Sequence, residues 1–177
     1  MRPATTQASA QSRHRRLQRT SARTSSSPRH ASAQTVQMAD WLIGKELFIP
    51  DHVNGRAIRD MANPGTAYND PVLGQDPQPA NMSNYVHTLD DNGGVHINSG
   101  IPNKAFHNAA MYIGGNSWEG VGPIWYQSCL SPQLRRAASF GEFARLTVSV
   151  AQQISVGRST NSADAVRQAW NDVGIKV

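Results

Sequence analysis

Apolar residues recur at helical spacing through the second half of the chain, and the breaks between runs are marked by glycine and proline. Ile101, Ala105, Ala109 and Tyr112, flanked by Phe106, Ala110 and Ile113, predict a helix that Ser99 caps and that tolerates Pro102 in its first turn. Gly114 and Gly115 stop it. A second helix is predicted over about Trp118 to Leu130, with Pro123 kinking or delaying its start. The third carries the strongest signal: Ser139 and Glu142 form a capping box, and Phe140, Phe143, Leu146, Val150 and Ile154 make an apolar stripe ahead of Gly157. A last helix begins near Ser162, with Val166, Ala169, Trp170 and Val173 facing inward and Gly174 ending it. These stripes are core, so the expected fold class is mainly α, a helical bundle.

Two regions fall outside that pattern. From Asn63 to Asn92 the chain is punctuated by Pro64, Gly65, Pro71, Gly74, Pro77 and Pro79, which predicts a long ordered loop. The N-terminal stretch is different again. No acidic residue precedes Asp40, and seven arginines sit among Ser, Thr, Ala, Gln and Pro. Such a segment buries too little to offset its ordering entropy, so residues 1–35 are expected to form a disordered basic arm ahead of a folded body, residues 36–177. The net charge of +5 belongs to this arm: seven of the 17 basic residues lie in it, leaving ten against 12 acidic residues. That weighs against nucleic acid as a partner of the body. The arm itself has the composition of a transit peptide, of a phosphate-binding arm, or of a shifted reading frame. No continuous apolar stretch is long enough to span a membrane, and no secretory signal is legible. The one cysteine, Cys129, cannot form an internal disulfide and is expected as a small buried hydrophobe.

The chemistry concentrates in the run DNGGVHINSGIPN, Asp91 to Asn103. It places His96 in a glycine-hinged loop directly ahead of the first predicted helix, with Asp91 five positions upstream. Gly93 and Gly94 allow backbone conformations closed to other residues, which lets the carboxylate fold back onto the imidazole. A carboxylate partner favours the protonated ring, and a protonated ring at a cleft edge can donate a hydrogen bond to an oxyanion. A loop histidine bonded to a neighbouring aspartate for structural reasons alone fits the same spacing. His52 and His87 lack the close ligand spacing of a metal site and are expected as solvated loop residues, and His107 as a helix-surface histidine.

The segment DNGGVHINSGIPNKAF resembles the stretch carrying the transition-state histidine of the thermolysin-like neutral metallopeptidases, which are zinc endopeptidases. NGRAIRDMANPG, Asn54 to Gly65, resembles that family's substrate-binding segment, and PIWYQSCLSP, SFGEFARLTVSVAQ and ADAVRQAWNDVGI are similar to its closing helices in the same order. The resemblance covers residues 36–177 and implies the fold of the family's C-terminal helical domain. It implies His96 as oxyanion donor, Asp91 as its orienter, Arg59 as a clamp on the substrate's backbone carbonyl, and Ile58 as a wall of the pocket for the side chain after the cut. Peptide or protein is the implied substrate, and an extracellular setting is implied by the family although no signal peptide is seen.

Zinc is implied as the cofactor, yet its ligands are absent from this chain. None of the six histidines is followed by glutamate, so the His-Glu-x-x-His helix is missing, and so is the glutamate motif that follows it in the family. The expectation is therefore a chain that is inactive alone and packs naturally against a missing N-terminal catalytic half. Calcium is doubtful: Asp40 stands at one of the family's calcium sites, but Leu42 and Lys45 replace its acidic partners, and Arg56 replaces an aspartate at a second one near the loop Pro50 to Gly55. The alternative is a noncatalytic remnant that binds peptide or anions and carries a basic arm.

Overall fold

Among the described residues two short antiparallel ribbons precede five α-helices, and buried acids organise the stretch that carries the second ribbon. The computed structural model describes residues 34–48, 52–154 and 161–177. The predicted arm lies outside the described residues up to residue 33, and Gly157 lies outside them too. Strand β1 (Leu42–Ile43) pairs with β2 (Arg59–Asp60), with Leu42 opposite Asp60 and Ile43 opposite Arg59. Strand β3 (Asn69–Asp70) pairs with β4 (Gly74–Gln75). None of these two-residue strands is long enough to leave an alternation in the sequence, and the pattern did not predict them.

Three buried aspartates hold the loop in shape. Asp76 accepts from the backbone N–H groups of Gly65 (3.0 Å), Ala67 (3.2 Å) and Gln78 (3.1 Å). Asp70 accepts from those of Asn54, Val72 and Leu73 at 2.8–2.9 Å. Asp60 accepts from Asn63 N–H at 2.8 Å and from Arg56 Nη2 at 2.6 Å. A hydrogen bond to a charged acceptor contributes roughly 1.5–3 kcal/mol. Three carboxylates with several such bonds each can therefore order a segment that has little apolar surface to bury.

The helices are α1 (Asp91–Asn98), α2 (Gly100–Ile113), α3 (Val121–Leu130), α4 (Phe140–Gln153) and α5 (Ser162–Asp172). The mainly α expectation holds. Helix α3 starts later than predicted, at Val121, so Pro123 falls within its first turn, where no helical hydrogen bond is lost. In α4 both halves of the predicted capping box form: Ser139 N–H donates to Glu142 Oε2 at 2.8 Å, and Glu142 N–H donates to Ser139 Oγ at 3.3 Å.

The core closes around Trp170 of α5, which is fully buried. Its indole stacks on Trp125 of α3 at 6.0 Å and meets Phe143 of α4 edge-on at 6.1 Å. Its Nε1–H donates to the buried Thr147 hydroxyl at 2.8 Å. An aromatic side chain removes roughly 150–250 Å² from water, which at about 25 cal/mol per Å² contributes roughly 4–6 kcal/mol. Ile101, Ala105 and Ala109 bury one face of α2 beside the same cluster, as their spacing predicted. Tyr112 does not follow them. It is exposed, and its hydroxyl donates to Asp172 Oδ2 at 2.7 Å, so its polar tip stays at the surface instead of the ring entering the core.

Candidate active site

The loop expected around His96 is a turn of left-handed backbone that runs straight into a helical turn, so His96 lies on α1 rather than ahead of a helix. Asp91, Asn92, Gly93 and Gly94 all have positive φ, from 51° to 83°. Aspartate and asparagine tolerate that region better than other side chains, and glycine enters it freely. The Gly93 and Gly94 N–H groups both donate to the Asp90 carbonyl, at 3.0 and 2.9 Å. The reversal brings the Asp91 carboxylate back over the following turn. There one oxygen accepts from the His96 backbone N–H at 2.8 Å, and the other pairs with His96 Nδ1.

The pair has a definite electrostatic consequence. The imidazole hydrogen bond, together with the His96 backbone N–H, holds the Asp91 carboxyl below its ordinary value of 3.8, against the opposing effect of desolvation. With Nδ1 committed to the carboxylate, Nε2 is left without a partner among the described residues, on a ring that is 74% exposed. This fixes which nitrogen faces outward.

Arg59 reaches the same turn from β2. Its Nη1 donates to Ser99 Oγ at 2.5 Å and lies 3.4 Å from the His96 carbonyl oxygen, to which the Ser99 hydroxyl itself donates at 2.8 Å. Ser99 was expected to cap α2. It makes no side-chain capping bond, because α1 continues into α2 through a helical Ser99 (φ −60°, ψ −15°) and its hydroxyl turns sideways to Arg59. Three of the predicted residues, Arg59, Asp91 and His96, are thus brought to one turn.

Ile58 stands beside Arg59 and is partly exposed, at 40%. It is not alone. A Cβ placed on Gly44 would lie 2.9 Å from Ile58 Cδ1 and 3.1 Å from Leu47 Cδ1, so these two side chains converge over the bare glycine backbone. Ile58 and Leu47 form an apolar patch over Gly44 that sequence reasoning missed. It also missed Asn98, a buried amide that accepts from Val86 N–H and donates to the Val86 carbonyl, both at 2.9 Å, fastening the strand of chain that leads into Asp91.

The remaining candidates lie elsewhere. His87 packs against Tyr85 with ring centroids 4.9 Å apart. His107 is half-buried rather than on the helix surface: its ring meets Trp41 edge-on at 5.0 Å, and burial is the main cause that pushes its pKa below 6.5. Cys129 is exposed, not buried, since α3 turns Ile124 and Ser128 inward and Cys129 out. Lys45 Nζ sits 3.0 Å from Asp40. Among the described residues no group of three His, Cys, Asp or Glu side chains is placed to hold a metal ion. A cavity of about 530 Å³ opens between Asn54, Arg56, Thr66, Tyr68 and Gln75, and none of Ile58, Arg59, Asp91 or His96 lines it.

Known proteins are similar to this chain. The extracellular metalloprotease of Pectobacterium carotovorum subsp. carotovorum is 49% identical over 144 residues, covering 81% of this chain and 40% of that protein. Protease PrtS of a Photorhabdus species is 43% identical over 150 residues, covering 84% and 39%. Among solved structures, the precursor of protealysin, a metalloproteinase from Serratia proteamaculans, superposes with a TM-score of 0.74 at 48% identity, over 80% of this chain and 43% of that one. The chain spans about two fifths of the length of these relatives. Residues 24–175 match the family described as thermolysin metallopeptidase, alpha-helical domain, and the chain belongs to that family.

Proposed function

We propose that this domain is the substrate-holding side of a thermolysin-like metalloendopeptidase cleft, and that it takes part in the hydrolysis of peptide bonds without supplying the metal. The observation that carries this reading is the double hold of Asp91 on His96, which leaves Nε2 facing outward. When a peptide carbonyl is attacked, negative charge collects on its oxygen. A protonated His96 donates Nε2–H to that oxygen, while Asp91 offsets the imidazolium charge and fixes the ring. One such donor is worth about 2.7–4 kcal/mol of transition-state stabilisation.

Arg59 holds the substrate rather than the reacting atoms. A guanidinium has five N–H donors, so those not engaged by Ser99 and the His96 carbonyl remain for a peptide carbonyl beside the scissile bond. The patch of Ile58, Leu47 and Gly44 next to it suits an apolar side chain on the same substrate.

Among the described residues no set of side chains fits the zinc that the family implies. His96 is committed to Asp91, His87 and His107 pack against aromatic rings, and no histidine of the sequence is followed by glutamate. The zinc would then be held by a catalytic half that packs on this domain. At the positions where the family implies calcium, Lys45 pairs with Asp40 and Arg56 stands as a cation that pairs with Asp60, which weighs against bound calcium. Several relatives carry the word extracellular in their names, which supports an extracellular setting here. The test is a peptidase assay of the purified chain. No cleavage is expected with or without added zinc; zinc-dependent cleavage by this chain alone overturns the division of labour.

A further inference from the structure

We propose that Ser99 is a positioning residue, whose hydroxyl locks the Arg59 guanidinium to the turn carrying His96 so that the two groups are set as one unit. This rests on the functional reading above. Arg59 lies on a two-residue strand, 40 positions before Ser99, and a side chain with four rotatable bonds has no intrinsic orientation there. The Ser99 hydroxyl supplies one. It accepts from Arg59 Nη1 at 2.5 Å and donates to the His96 carbonyl at 2.8 Å, so a single oxygen joins both functional residues.

The chemistry of the link is as telling as its geometry. Among the described residues no carboxylate pairs with Arg59, and its side-chain partners are a hydroxyl and a carbonyl. A neutral acceptor orients the guanidinium without cancelling its charge, which leaves a full cation toward an approaching peptide carbonyl. Ser99 is free for this because it is helical and makes no capping bond. Nearby, Lys104 Nζ donates to the Ala62 carbonyl at 2.6 Å and independently ties α2 to the chain following β2. Loss of the Ser99 link should therefore release Arg59 without parting the two elements.

The experiment is nitrogen NMR on the full 177-residue chain, reading the Arg59 Nη groups and the His96 ring in the wild type, Ser99→Ala and Ser99→Thr. In the wild type the two Arg59 Nη groups give separate signals with hindered rotation. In Ser99→Ala they merge, while the His96 Nδ1 signal and the melting curve stay as they were; Ser99→Thr, which keeps the hydroxyl, restores the separation. Titration with N-acetyl-Gly-Leu amide then shows affinity falling about tenfold in Ser99→Ala, the loss of one charge-assisted hydrogen bond, and recovering in Ser99→Thr. Arg59 signals that are unchanged in Ser99→Ala, or not restored in Ser99→Thr, overturn the proposal. A wild-type chain that does not respond to the peptide overturns the functional reading instead, and the Arg59 rotation still decides the link.

Discussion

Asp91 grips His96 at two points, with one carboxylate oxygen on the ring Nδ1 and the other on the backbone N–H at 2.8 Å. The two bonds fix both where the ring sits and which way it turns. Because the imidazole bond is the largest cause of the lowered Asp91 pKa, His96→Ala should move the Asp91 carboxyl back toward 3.8. A carboxyl whose folded pKa is depressed stabilises the fold above its unfolded value and loses that contribution as pH falls through the lowered one. Carbon NMR titration of the carboxyl should place the wild-type midpoint below 3.8. Equal midpoints in the wild type and His96→Ala would show that the pair is not coupled.

The left-handed turn before His96 makes a paired prediction. Gly93→Ala meets no neighbouring atom within 4 Å, so its cost is the backbone conformation at φ +83° alone, about 1–2 kcal/mol. Gly94→Ala carries the same conformational cost at φ +74°, and its Cβ would also fall 2.9 Å from Asn98 Nδ2 and 3.0 Å from Thr88 Cγ2. Chemical unfolding should rank Gly94→Ala as the more destabilising. The reverse order would mean that the turn is not held as described.

Thr147→Val keeps the shape of a buried side chain but removes the acceptor of Trp170 Nε1–H. A buried donor left unpaired costs about 1–3 kcal/mol. Thr147→Ser keeps the acceptor. A Val variant that unfolds at the same denaturant concentration as the wild type would dispute the role of that bond.

Ser139→Ala removes the cap of α4 and should cost about 1 kcal/mol. It also has an effect on pH dependence. The Ser139 backbone N–H, its hydroxyl and Arg135 hold the Glu142 carboxyl below 4.5, so the contribution of Glu142 is present above 4.5 and fades as pH falls through the lowered value. Denaturation followed from pH 7 to pH 3 should show a shallower acid limb in Glu142→Gln. An identical acid limb would remove Glu142 from that transition.

What could be read from the letters was what local spacing encodes. Helix α4 carried a cap and a stripe together, and Asp91 and His96 are five residues apart with glycines between them, so both were legible. The meeting of Arg59 with Ser99 was not, because it joins positions 40 apart through a ribbon too short to have a period. The same brevity hid Gly44 and Leu47 beside Ile58. Cys129 was misplaced because α3 is apolar on nearly every side, so periodicity does not show which face turns inward. The aspartates at 60, 70 and 76 look like solvated loop residues and are buried, since backbone N–H groups take the place of water around them.

The most direct test of the substrate-holding role is kinetic, in a chimera whose matched segment of the Pectobacterium carotovorum relative is replaced by the corresponding 144-residue segment of this chain. With His96→Ala in that chimera, kcat should fall by about 10²–10³ with little change in KM, as expected when an interaction made only in the transition state is lost. A His96→Ala chimera that keeps its kcat would contradict the role of His96 as the oxyanion donor.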